Sequence, residues 1–143
     1  MRRMYLAVWL ATLAGCPGED APPECIDVNV ACQPLYVPTF DNVYANTLAL
    51  GCGSERVSCH SREGQKGGMS FEDPQTAHAA LLAGRVVPGN PGCSDMIVRT
   101  GSPGAGYQMP PGSKSAALSP AEQCALILWV QNGAPGPGSA VSP

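Results

Sequence analysis

Residues 109–134 read MPPGSKSAALSPAEQCALILWVQNGA, and the rest of the chain is best read outward from them. Ser119-Pro120-Ala121-Glu122 is a helix start. The Ser119 hydroxyl can accept from the Glu122 backbone N–H, while the Glu122 carboxylate reaches back to the Ser119 N–H. Pro120 falls at the first helical position, where its missing N–H is not needed. Ala121, Cys124, Ala125, Leu128 and Trp129 follow at helical spacing, and Gly133 ends the run. Just upstream, residues 101–115 form a Gly- and Pro-rich loop that carries Met109 on a Pro-stiffened stretch.

Three weaker helices precede this one. Ser94–Thr100 is short and buries Met96, Ile97 and Val98. Asp73 caps another, with Pro74 at its first position and Gly84 closing it. Thr39 caps the earliest, in which Phe40, Val43, Tyr44, Thr47 and Leu48 share one face and Gly51 marks the end. Between the first two of these in chain order lies a loop, 51–68, holding Cys52, Cys59 and His60. The expected organisation is a mainly α domain at 39–134 with short helices and long loops, a Pro-rich tether at 16–38, and a disordered tail at 135–143.

The N-terminus, MRRMYLAVWLATLAG at 1–15, has a basic start and a short apolar core, as a secretory signal does. Leu13-Ala14-Gly15-Cys16 resembles a bacterial lipobox. That resemblance implies export, removal of residues 1–15, and acyl chains on Cys16 that hold the protein at a bacterial membrane, on its periplasmic or outer-membrane face. Of 143 residues, 128 would remain, with only 23 Leu, Ile, Val and Phe but 31 Gly and Pro. A chain so poor in aliphatics needs a disulfide, a metal or a large apolar cofactor to fold. Lys plus Arg falls to six against eleven Asp plus Glu, which excludes a nucleic-acid binder. No nucleotide-binding, nucleophile-elbow or zinc-protease motif occurs. With Cys16 lipidated, six cysteines remain in an oxidising space. Cys25 and Cys32 are expected to pair with each other, or one of them to staple the tether to the domain; Cys93 and Cys124 are expected to pair.

The chemistry concentrates at Cys59-His60 and Met109-Pro110. A thiol directly before an imidazole, in an exported chain, is the end of a haem c attachment motif: the thiol adds to a vinyl group, and the next side chain reaches the iron. Ligation by His and Met gives an electron-transfer haem of raised potential. In order, the chain has Cys59-His60, Gly67-Gly68, Val87-Pro88-Gly89, Ser94 before Met96-Ile97-Val98, Met109-Pro110-Pro111, Leu118-Ser119 with Glu122, and Trp129-Val130-Gln131-Asn132-Gly133-Ala134. From Thr39 to Ala134 this order resembles a small monohaem cytochrome c domain, and it is similar to the planctomycete-type cytochrome c modules of exported bacterial proteins. The resemblance implies a cytochrome c-like fold, haem c as cofactor, His60 as proximal and Met109 as distal iron ligand, Cys59 as a thioether, and a redox partner protein. It implies an electron carrier with no bond-making activity of its own.

One departure bears on the cofactor. The usual spacing is C-x-x-C-H, but position 56 is Arg56 and the nearest upstream cysteine is Cys52. Haem held through Cys52 and Cys59, haem held through Cys59 alone, and a Cys52–Cys59 disulfide without haem all stay open. The last would give a haem-free, disulfide-stapled surface binding module. Of the remaining candidates, His78 reads as a surface residue, Met69 and Met96 as core fillers, and Tyr107 and Trp129 as aromatics lining any haem pocket.

Overall fold

The computed structural model describes residues 21–53, 59–112 and 116–140. The signal-like segment and Cys16 lie outside the described residues. Within them the protein is mainly α, with short helices joined by long loops and no strand. No helix among them is long and apolar enough to cross a membrane.

Helix α1 (Phe40–Val43) starts where the sequence places it, with the Thr39 hydroxyl accepting from the Asn42 N–H. It does not continue as an ordinary helix to Gly51. Its hydrogen bonding widens into a π-helix, Tyr44–Cys52, closed by the Gly53 N–H on the Leu48 carbonyl five residues back, at 2.7 Å. Helix α2 (Pro74–Leu82) is capped by the Asp73 carboxylate on the Thr76 N–H. Helix α3 (Asp95–Thr100) buries Met96, Ile97 and Val98, and a short 3-10 turn, Pro91–Cys93, leads into it. Helix α4 (Pro120–Gln131) carries the full capping box of Ser119 and Glu122.

Helix α4 packs against α1, α3 and the Pro91–Cys93 turn. Covered from several directions, it buries Cys124, Ala125, Leu126, Ile127, Trp129 and Val130, a wider arc than one face. Leu128, expected on the buried side, is only half-buried. Trp129 lies on Phe40, with ring centroids 5.2 Å apart, and His78 stands edge-on over Phe40 at 4.9 Å. His78 is therefore a packed residue: its Nε2 is 2.9 Å from the Ala134 carbonyl oxygen. Trp129 donates from Nε1 to the Pro135 carbonyl, and the Gly138 N–H donates to the Asp41 carboxylate. So the expected free tail is held on α1 at least as far as Gly138.

The cysteine pairing differs from the sequence expectation. Cys25 bonds to Cys93 and Cys32 to Cys124, so neither the Cys25–Cys32 nor the Cys93–Cys124 pair forms. Both halves of the expected tether are stapled to the domain. The Ile26 N–H donates to the Gly92 carbonyl and the Leu35 N–H to the Ala121 carbonyl, each at 2.9 Å. Gly92 permits this approach, because a Cβ there would meet the Ile26 carbonyl oxygen at 2.6 Å. Distance along the chain hid the pairing: the bridges span 68 and 92 residues.

Non-reducing peptide mapping of the exported protein is expected to recover the 25–93 and 32–124 links, and a 25–32 link would reverse this assignment. Replacing Cys32 and Cys124 by Ser should cost about 2–5 kcal/mol of stability in urea unfolding. Ser119→Ala should cost about 1 kcal/mol through loss of the α4 cap.

Candidate functional site

A cavity of about 220 Å³ opens among the π-helix, the segment from His60 to Phe71, α2, α3, the loop that carries Met109 and the middle of α4. Cys52, His60 and Met109, far apart in sequence, all line it, together with Leu48, Leu81 and Leu126. The π-helix helps to assemble this wall. Thr47 and Cys52 are five residues apart, which 3.6 residues per turn would send to divergent directions, yet both face the cavity along with Leu48. Met69 and Met96 border it too, so three thioethers reach a cavity for which the sequence singled out one. Cys59 is not part of the wall, although its neighbour His60 is.

Backbone bonds hold His60 on both sides. Its N–H donates to the Cys52 carbonyl at 3.2 Å, and its own carbonyl accepts from the Phe71 N–H at 2.8 Å. The Cys59 carbonyl accepts from the Lys66 N–H at 2.7 Å, closing the following turn. Gly53 lets the end of the π-helix pass this segment, since a Cβ there would lie 2.7 Å from the Phe71 Cβ. The imidazole is 8 % exposed, lies tilted over the Phe71 ring at 4.9 Å, and its buried Nδ1 has no hydrogen-bond partner. An unmade bond of that kind costs about 1–3 kcal/mol.

Burial pushes the His60 imidazole below its ordinary pKa; the Lys66 and Met69 backbone raises it, and the nearby Arg85 charge lowers it. The neutral ring so favoured is the form that can ligate a metal. Cys52 and Cys59 are free thiols. Burial, with a smaller contribution from Cys59, pushes the Cys52 thiol up to about 11.

Met109 is fixed from its backbone, its N–H donating to the Arg99 carbonyl at 3.0 Å. Beside it the buried Gln108 braces the loop, donating from Nε2 to the Pro110 carbonyl at 2.9 Å and accepting from the Gly104 N–H. Tyr107 and Trp129 do not border the cavity, contrary to the expectation from sequence: Trp129 is committed to Phe40 and His78. His78 is likewise absent from the wall. Among the described residues, no three His, Cys, Asp or Glu side chains gather as a metal-holding group. The possible metal donors on the wall are one imidazole, one thiol, three thioethers, the Asp95 carboxylate and the hydroxyls of Thr47 and Thr100.

Sequence reading missed the charged residues of this wall, Lys66, Arg85, Asp95 and Arg99. The spacing of Asp95 and Arg99, four apart on α3, signals an ion pair, and Arg99 Nε does lie 2.8 Å from Asp95. Nothing local signals that the pair borders a cavity. The chain matches no protein-family model, no curated protein and no solved structure.

The raised Cys52 thiol makes a reactivity prediction. At pH 8, three units below about 11, about one thiol in a thousand is ionised. Peptide-resolved alkylation of the folded protein should therefore label Cys52 far more slowly than in the urea-unfolded chain. Equal rates would show that Cys52 is not buried beside the cavity.

Proposed function

We propose that the protein is a haem-binding, c-type cytochrome-like electron carrier, exported and held at a bacterial membrane through acyl chains on Cys16. The observation that carries this reading is the convergence of Cys52, His60 and Met109 on one largely apolar cavity. The donor set suits haem iron: a neutral imidazole and a thioether, with two thiols left out of the disulfides. In this reading His60 and Met109 would hold the iron, and Cys59, alone or with Cys52, would anchor the haem covalently. The bound haem supplies reversible one-electron transfer. The chain fixes the ligands from its backbone, and Leu48, Leu81 and Leu126 provide apolar surroundings that keep water away. A redox protein, rather than a substrate, is the partner. At about 220 Å³ the cavity is below the roughly 300–1,000 Å³ of most ligand pockets, so loading requires its walls to part.

Produced with haem-maturation machinery, the protein is expected to gain the mass of one haem that survives denaturation, and to show a Soret band. His60→Ala should abolish the low-spin spectrum. Met109→Ala should keep the covalent haem but lower the potential, because the thioether is what raises it. Absence of both covalent haem and a Soret band ends this reading. A second reading, a haem-free stapled surface module, is favoured by one observation: two disulfides and a packed core complete the fold with the cavity as it stands. A haem-free mass with a third disulfide, between Cys52 and Cys59, would establish it.

A further inference from the structure

Beyond residue 15 the chain has three methionines, Met69, Met96 and Met109, and all three border the one cavity. They come from different places in the fold: the segment after His60, helix α3, and the loop before α4. Each is pinned by its backbone. The Met69, Met96 and Met109 N–H groups donate to the carbonyls of Lys66, Arg85 and Arg99, at 3.4, 3.0 and 3.0 Å. A methionine that fills a core gap is buried, as Met96 is, but Met69 and Met109 are only half-buried. Cys52 adds a fourth sulfur to the wall. The side-chain oxygens of the same wall are already engaged. Asp95 Oδ2 lies 3.1 Å from Arg85 Nη1, and Oδ1 lies 2.8 Å from Arg99 Nε. The Thr100 hydroxyl donates to the Met96 carbonyl, and the Thr47 hydroxyl pairs with that of Tyr36. Thioethers, by contrast, are weak acceptors that hydrogen bonding hardly occupies.

We propose that this cavity, in the protein without haem, is a site for one copper(I) ion, bound by the Cys52 sulfur and the thioethers of Met69, Met96 and Met109. Thiolate and thioether sulfur together select a soft monovalent ion. Zinc takes thiolate, imidazole or carboxylate ligands and makes no use of thioethers. On coordination the Cys52 thiol becomes a thiolate, and its proton passes to water. Charge points the same way. Lys66, Arg85 and Arg99 stand against Asp95, the one acidic residue among the described residues of the wall. Copper(I) with one thiolate adds no net charge to that positive excess, whereas a divalent ion would add to it and be repelled. Size agrees as well. At about 220 Å³ the cavity is small for an organic ligand, but an ion needs only that the sulfurs turn inward. The three rotatable bonds of methionine allow this while the backbones stay held. The inference needs the cavity to be a ligand site and does not need the electron-carrier reading. Met109 is common to both, so copper(I) and haem iron exclude each other.

The experiment titrates protein produced without haem-maturation machinery with copper(I), under anaerobic conditions, in competition with the coloured copper(I) probe bicinchoninate. The protein should draw one equivalent from the probe, and an equal concentration of zinc should not displace it. Met69→Leu combined with Met96→Leu keeps the apolar volume. It should weaken copper(I) binding about tenfold or more, at least the effect of losing an outer partner of a metal ligand. Urea unfolding checks that the double variant still folds. Where it does not, the methyl NMR resonances of Met69, Met96 and Met109 decide the matter in the unaltered protein, and copper(I) should shift all three. Failure to draw copper(I) from bicinchoninate overturns the inference, and so do methyl resonances that stay in place. Undiminished affinity in the folded double variant overturns it too; loss of that affinity in Cys59→Ser would then place the ion on the two thiols instead. Covalent haem without copper(I) binding ends this inference and leaves the electron-carrier reading standing. Copper(I) binding in a protein that never acquires haem does the reverse.

Discussion

Helix α4 is the constraint on which the rest depends. Its middle and last turns are apolar on almost every side, and it buries six residues from Cys124 to Val130. A helix of that kind must be covered all round, but the chain has few large aliphatics with which to do so. Phe40 and Val43 of α1 and Ile97 of α3 join its cover within the core. The N-terminal segment is bound directly to the helix through Cys32–Cys124, and through the Leu35 N–H at its first turn. The cover remains incomplete, for Leu126 and the preceding Leu118 still reach the cavity. The composition deficit thus has a location: it is the space next to α4 that the side chains do not fill.

Two of the residues that border that space, His60 and Met109, are anchored through their backbone. His60 is fixed by hydrogen bonds to Cys52 and Phe71, and Met109 by one to Arg99. Such bonds set where the Cα lies and leave the side chain free to engage a ligand. The π-helix belongs to the same arrangement. Its wider turns bring Thr47, Leu48 and Cys52 to one wall, consistent with the tendency of such segments to occur at functional sites.

Features settled within four residues were legible in the sequence. The caps at Thr39, Asp73 and Ser119 each rest on a side chain meeting an N–H three residues on. Features settled across the chain were not. Cysteine spacing does not encode connectivity, and the bridges join residues 68 and 92 positions apart. His78 looked like a surface histidine because nothing in its own helix reveals Phe40 or the Ala134 carbonyl. Trp129, read as a packing aromatic, is one, but its partners Phe40 and His78 were not legible for the same reason. At the candidate site, Cys52, His60 and Met109 were legible from residue chemistry, whereas the charged residues of the wall, Lys66, Arg85, Asp95 and Arg99, were not. Arg85 lies outside any motif and gains its place only when α3 meets the segment after α2.

The sequence posed a choice between staples and an apolar cofactor as remedies for a lean core. In the structure they are not exclusive. Four cysteines form two bridges that close the N-terminal segment over α3 and α4, and the other two among the described residues, Cys52 on the cavity wall and Cys59 beside His60, form none. The bridges secure the half of the fold built from α3, α4 and the 25–38 segment. None spans the half that carries His60, whose local order comes from backbone bonds to Cys52 and Phe71. Occupancy of the cavity would therefore stabilise the unbridged half most, by supplying contacts for Leu48 and Phe71. Division of the cysteines in this way leaves Cys52 and Cys59 outside the bridges that hold the fold.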